Sequence, residues 1–161
     1  MTDPSVFFKI FPRLVNGGYR VTSAPTSQYN CIAWAAARHD RWWWPDHPDG
    51  FWPPEAPPDE TLGAFEAAFA NLGYVRCNDD SLELCYEKIA IYASTAGVPT
   101  HAARQLHTGR WTSKLGHLED IEHSSPDALI SNCYGSPALI MRRRLGLFQL
   151  ALRLWTKLGG A

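Results

Sequence analysis

Residues 29–39, Tyr29-Asn30-Cys31-Ile32-Ala33-Trp34-Ala35-Ala36-Ala37-Arg38-His39, govern the reading of the chain. Four alanines, the best helix formers, predict a helix across this stretch. Thr26, Ser27 or Asn30 can cap its start, and Ile32, Ala35 and Ala36, with Trp34 beside them, give it an apolar face. Cys31 then falls in the first turn. The positive end of a helix favours negative charge, so a thiol of ordinary pKa about 8.5 is drawn toward its reactive thiolate there.

Downstream, residues 41–58 read RWWWPDHPDGFWPPEAPP. Six prolines rule out regular structure through most of this loop. Trp42, Trp43, Trp44 and Trp52 supply broad flat surfaces. They either plug the loop onto the core or, with Trp34, form one wall of a substrate cleft. Residues 59–72, DETLGAFEAAFANL, predict an amphipathic helix with Leu62, Phe65, Phe69 and Leu72 on one face. Asp59 and Glu60 favour its N-terminus, and Gly73 is a natural stop. Short strands are expected at residues 6–11, 19–22, 74–77, 85–93 and 136–141. Residues 98–106 and 110–115 form a hairpin around Thr108-Gly109. Ser125-Pro126-Asp127 opens a short helix, with proline at its first position.

The 161 residues suit one domain. A net charge of -1 argues against a general nucleic-acid binder, which carries a basic excess. Cys31, Cys77, Cys85 and Cys133 include no CxxC pair, so free thiols in a reducing, cytoplasmic compartment are expected. Residues 1–14 lack the apolar run of a signal peptide, and no stretch reads as a transmembrane span. The chain has no phosphate-binding loop, dinucleotide fingerprint or HExxH. No cofactor is expected, and no ordered metal-ligand spacing is present.

A cysteine nucleophile needs a base. Of six histidines, His101 has the most suitable setting: Pro99-Thr100-His101-Ala102-Ala103, near the start of a strand with small neighbours. A cysteine in an Ala-rich helix is more often buried and inert. The order of helix-start cysteine and strand histidine makes the pair more informative than either residue alone.

These residues carry a resemblance. Asn30-Cys31-Ile32-Ala33-Trp34-Ala35 resembles the Cys-x-x-aromatic-Ala helix starts of papain-like cysteine peptidases, including their cell-wall amidopeptidase branch. His101, a Gly-containing turn and a second strand are similar to that branch's histidine hairpin. A third polar residue sits about twelve positions after the histidine there, which is Ser113 here. Lys114 takes that face if the register moves by one, and Asp120 could fold back to serve instead. The longer strings YNCIAWA, THAARQL, WTSKLG and EDIEH resemble a family of small bacterial proteins of unknown function, over roughly residues 28–140.

The papain-like resemblance implies an α+β fold over residues 1–141: an N-terminal helix bearing Cys31, packed on an antiparallel sheet bearing His101. It implies a hydrolase or acyl transferase of peptidase, amidase or deamidase type, acting on a protein or peptide. Cys31 would attack the carbonyl, His101 would carry the proton, and Ser113 or Asp120 would orient the imidazole. Gln28 or Asn30 would join the Cys31 N–H in an oxyanion hole. The alternative is a catalytically inactive module on the same scaffold, binding through the Trp-rich loop.

Residues 142–158, RRRLGLFQLALRLWTKL, carry five basic residues and no acidic one. They predict a basic amphipathic C-terminal helix within a tail spanning residues 142–161. Hydrophobics nearly encircle this helix, which favours a partner protein or self-association over a membrane surface.

Overall fold

The computed structural model describes residues 4–157. Its centre is strand β3 (Tyr86–Ala93), buried along nearly its whole length. Strands β4 (Pro99–Gln105) and β7 (Ser136–Arg144) flank β3, both antiparallel to it. Outward from β4 lie β5 (Trp111–Lys114), β6 (Asp120–His123) and β1 (Tyr19–Val21); β2 (Val75–Cys77) closes the other edge. All pairings in this seven-stranded sheet are antiparallel.

Side chains alternate across a strand, and both faces of the sheet are covered. Ile89, Ile91, Ala102, Leu139 and Met141 pack on one face against helices α3 (Cys31–Ala35) and α4 (Leu62–Ala70) and against Trp43. Ala90, Tyr92, Ala103, Trp111 and Ile121 pack on the other. There they meet α1 (Pro4–Ile10), α2 (Leu14–Gly17) and the 3-10 turn Pro126–Leu129.

The expected α+β papain-like arrangement is overturned. The architecture is sheet-rich, and the helix bearing Cys31 has five residues. The alanine run does not carry it to His39, because Ala37 adopts a left-handed conformation (φ 58°). The Arg38 N–H then donates to the Ala33 carbonyl at 2.8 Å and the Ala37 N–H to that of Trp34 at 3.0 Å. Both bonds close the helix in the manner of a Schellman cap. Helix propensity gives way here to the need to swing the tryptophan loop back onto the sheet.

Other elements also depart from expectation. Residues 6–11 fall largely in α1, where Phe7 and Phe11 stand one turn apart and both point into the core. Helix α4 starts at Leu62 because the Thr61 side chain accepts the Ala64 N–H, rather than at Asp59 or Glu60. Arg142, Arg143 and Arg144 extend β7, so a boundary at residues 141/142 cuts through a strand. The C-terminal helix is α5 (Leu147–Lys157). Strand β6 was hidden in the sequence because three of its four residues are polar. No helix among the described residues is long and apolar enough to cross a membrane.

Two backbone positions give measurable consequences. Ala37 is exposed, so Ala37→Gly relieves the left-handed strain and should raise unfolding free energy by about 0.5–1 kcal/mol in urea titration, after the entropic cost of glycine. Gly135 has φ 69°, and a Cβ there would lie 1.8 Å from the Ala93 carbonyl oxygen. Gly135→Ala should cost roughly 3 kcal/mol or more in the same assay.

Candidate functional site

Strand parity decides which chemistry-bearing side chains meet. Tyr92 is paired with His101, and Ile91 with Ala102. Ile91 and Ala102 belong to the cluster that contains Cys31, and Tyr92 belongs to the opposite one. His101 therefore faces away from Cys31. Its ring stacks on Tyr134 at 4.0 Å and 8°, and meets Tyr92 edge-on at 5.2 Å. The ring is fully buried, and neither nitrogen has a hydrogen-bond partner among the described residues. Burial, reinforced by His123, holds its pKa well below the usual value, so the imidazole is neutral.

Ser113 lies on that far face too. It sits two residues from Trp111 on β5, and its Oγ is 3.0 Å from Nε2 of His123. Nδ1 of His123 lies 2.8 Å from the Ser125 carbonyl. A carbonyl only accepts, so Nδ1 carries the proton and Nε2 accepts the Ser113 hydroxyl. The structure thus joins Ser113 to His123 and leaves the expected trio of Cys31, His101 and Ser113 unassembled.

The face that bears Cys31 carries a different set. Lys114 and Asp120 are register partners across β5 and β6, and both are buried. Asp120 Oδ2 accepts the Tyr29 hydroxyl at 2.6 Å, while Oδ1 is buried without a partner among the described residues. Burial and the bond to Asp120 push the Tyr29 pKa up to about 12, so it remains a phenol donor. Lys114 donates to the Leu118 carbonyl and lies 5.4 Å above the Tyr29 ring. Burial lowers its pKa, against the pull of Asp120, Glu119 and Cys31. Cys31 is 7% exposed. Burial raises its thiol to about 11, outweighing backbone contacts at Ala102 and Ile32 and the attraction of Lys114.

The expected oxyanion donors divide. Asn30 caps α3: its Oδ1 accepts the N–H groups of Ala33 and Trp43, each at 3.1 Å, and its Nδ2 donates to the Trp43 carbonyl at 2.8 Å. Its amide is committed to structure. Gln28 is exposed and borders a cleft. Within the tryptophan loop, Trp43 is buried and Trp42 donates to the Ser27 carbonyl. Trp44 donates to Glu60 and Trp52 to the Pro57 carbonyl, with both rings against Phe65. These four indoles serve mainly as a plug.

Trp34 alone of the named tryptophans borders the cleft. This cleft, of about 530 Å³, opens beside α3 and is rimmed by Gln28, Tyr29, Trp34, Arg104, Asp120 and Glu122. Tyr29 and Trp34 stack at 5.6 Å, and the Trp34 indole N–H donates to Thr112 at 3.1 Å. The Arg104 guanidinium lies 5.5 Å over the Trp34 ring. Glu122 is held by Arg20 at 2.7 Å and Arg110 at 3.8 Å. Sequence reasoning missed Tyr29 and Arg104 and held Lys114 only as a register alternative. The signal was period-2 alternation: Ala102 and Arg104, and Thr112 and Lys114, are spaced to share one face. No group of three potential metal ligands gathers among the described residues.

The buried histidines set a pH dependence. Burial holds His123 near a pKa of about 4 and His101 well below its usual value. In the unfolded chain each takes a proton near pH 6.5. Below that pH the unfolded state binds more protons, so stability is full above about 6.5 and falls as pH drops toward 4. The loss should approach about 1.4 kcal/mol per pH unit for each histidine, measured by urea titration from pH 7 to 4.5. His101→Leu, of similar volume, should remove about half of that slope.

No curated protein and no solved structure matches the chain, and the papain-like resemblance gains no support. The model of one family, described as a domain of unknown function, matches residues 20–142. The match spans most of β1, all of β2 to β6 and most of β7, together with the cleft, and the chain belongs to that family, DUF7689.

Proposed function

We propose that the protein is a non-catalytic ligand-binding domain whose cleft beside α3 takes a small zwitterion or a peptide end. The observation carrying this reading is that Cys31 is closed off, 7% exposed, and does not border the cleft. Its thiol, raised to about 11, is protonated at neutral pH. The cleft itself has the make-up of a recognition site: an aromatic floor with a few convergent polar groups. Arg104, which also reaches Glu87 at 3.8 Å, offers a fork for a carboxylate, and Asp120 Oδ1 and Glu122, the latter shared with Arg20 and Arg110, suit an amine. The four free thiols favour a reducing, cytoplasmic setting.

Iodoacetamide labelling tests the non-catalytic part. Exposed Cys133 should react first, and Cys31 should stay slow from pH 6 to 8 in the folded protein. Fast, selective labelling of Cys31 at pH 6 would overturn the reading. Thermal shift with amino acids and dipeptides tests the ligand class. A Tm rise should occur with wild type and vanish in Arg104→Gln; no rise with any of them removes the zwitterion assignment.

A cysteine-dependent hydrolase or acyl transferase is the second reading, favoured by Lys114 on the Cys31 face. A neutral Lys114 would take the thiol proton, and the thiolate would attack an amide or ester carbonyl. The adduct would expel its amine or alcohol, protonated by Lys114, to leave a thioester on Cys31, and that acyl group would then pass to water or a second amine with release of the thiol. This reading predicts turnover of p-nitrophenyl acetate that is lost in both Cys31→Ala and Lys114→Met, with Tm retained. Equal turnover in the variants excludes it.

A further inference from the structure

Helix α5 meets the rest of the chain through one apolar and one basic side chain and turns most of its large apolar side chains toward solvent. Leu150 and Arg153 are half-buried. Arg153 donates to the carbonyl of Tyr86 at 2.7 Å and approaches those of Glu83 and Leu84 at 3.4 and 3.5 Å. Leu147, Phe148, Ala151, Leu154 and Trp155 recur at i, i+1, i+4, i+7 and i+8, which places them on one stripe. Leu147 is 89% exposed, Phe148 81%, Trp155 58% and Leu154 40%. A helix that merely closed its own core would show the reverse.

The chemistry of the stripe points to its occupant. Leucine, phenylalanine and tryptophan on one side of a basic helix are the composition of helices that lie in a bilayer interface. Residues 142–161 hold five basic residues and no acidic one; Arg142 and Arg143 pair with Glu83 and Glu87, and Arg153 binds backbone carbonyls, so exposed Arg144 is the described cation that faces outward. Exposed Arg144 stands just before the helix, and Lys157 ends it. This charge is complementary to anionic headgroups and opposes the pairing of two α5 stripes, which would bring two basic tails together.

We propose that α5 is an interfacial membrane anchor, lying flat on an anionic lipid surface with Leu147, Phe148, Leu154 and Trp155 at the headgroup–acyl boundary. The helix attaches to the surface and does not span it. The proposal is independent of what the cleft binds.

The test is co-sedimentation of the full chain with large vesicles of phosphatidylcholine containing about one-third phosphatidylglycerol. The protein should pellet with these vesicles. It should pellet roughly tenfold less with pure phosphatidylcholine, and less again as salt shortens the electrostatic range. The double variant Leu147→Glu, Trp155→Glu removes two exposed side chains and should abolish pelleting while the melting curve is kept. Absence of pelleting with anionic vesicles, or pelleting unchanged in the double variant, overturns the proposal. A concentration-dependent dimer in sedimentation velocity, lost in the double variant without any vesicle binding, would make the stripe a self-association face and overturn it as well. Should the double variant melt lower, Arg144→Glu, at an exposed site, provides the second arm and must reduce pelleting.

Discussion

One side-chain amide ties the structure together. Asn30 caps α3 and at the same time grips both the N–H and the carbonyl of Trp43. The helix start and the tryptophan loop are therefore held by a single residue at 3% exposure. Through Trp43 the loop reaches Phe51, and through Trp44 and Trp52 it reaches Phe65 of α4. The covering of one whole sheet face follows from that clamp. A buried amide with three satisfied bonds is worth more than its parts, because leaving any of them open costs the full desolvation of the group. The same commitment takes Asn30 out of any role toward a ligand.

Strand parity then separates two polar clusters that share a single sheet. On the far face His101, Ser113 and His123 are sealed between Tyr92, Tyr134 and the Ser125 carbonyl. On the near face, which Cys31 covers, Tyr29, Lys114 and Asp120 form a buried group, with the aromatic cleft opening beside them. Neighbouring residues on β4 and β5 contribute to opposite clusters. Cys31 and His101 thus stand on opposite faces of the sheet, however well their order in the chain suits a dyad. Desolvation works against both: it keeps the thiol protonated and the imidazole neutral.

Much of the strand framework was legible in the chain. The hairpin of β4 and β5 around Gly109, the glycine stop after α4, and strands β1, β2 and β3 follow from turn chemistry and apolar alternation. The less legible parts share a physical cause. Helix α1 hid because Phe7 and Phe11 also fit a strand pattern in so short a segment. Strand β6 hid because His123 is buried as a polar residue and Asp120 finds its partner in Tyr29, 91 residues earlier in the chain. The alanine run overstated α3 because intrinsic propensity is a weak prior against the tertiary demand that turns the chain at Ala37.

The sequence by itself determined much of the inventory: the β4–β5 hairpin and most of the other strands, a cysteine at a helix start, a proline-rich aromatic loop, and a basic amphipathic end. Local propensity and turn residues act over a few positions, so they are readable from a few positions. Only the tertiary structure decided which of these groups meet. Strands β4, β5 and β6 follow one another through short hairpins, but the bonds that bring Tyr29 to Asp120 and Trp34 to Thr112 join residues 91 and 78 positions apart, and a shift of one residue would send each strand side chain to the other face. That single parity sets Lys114 and Asp120 on the sheet face that Cys31 covers and turns His101 away. In the same way, the docking of α5 through Leu150 and Arg153, rather than its composition, decided which side of that helix faces the solvent.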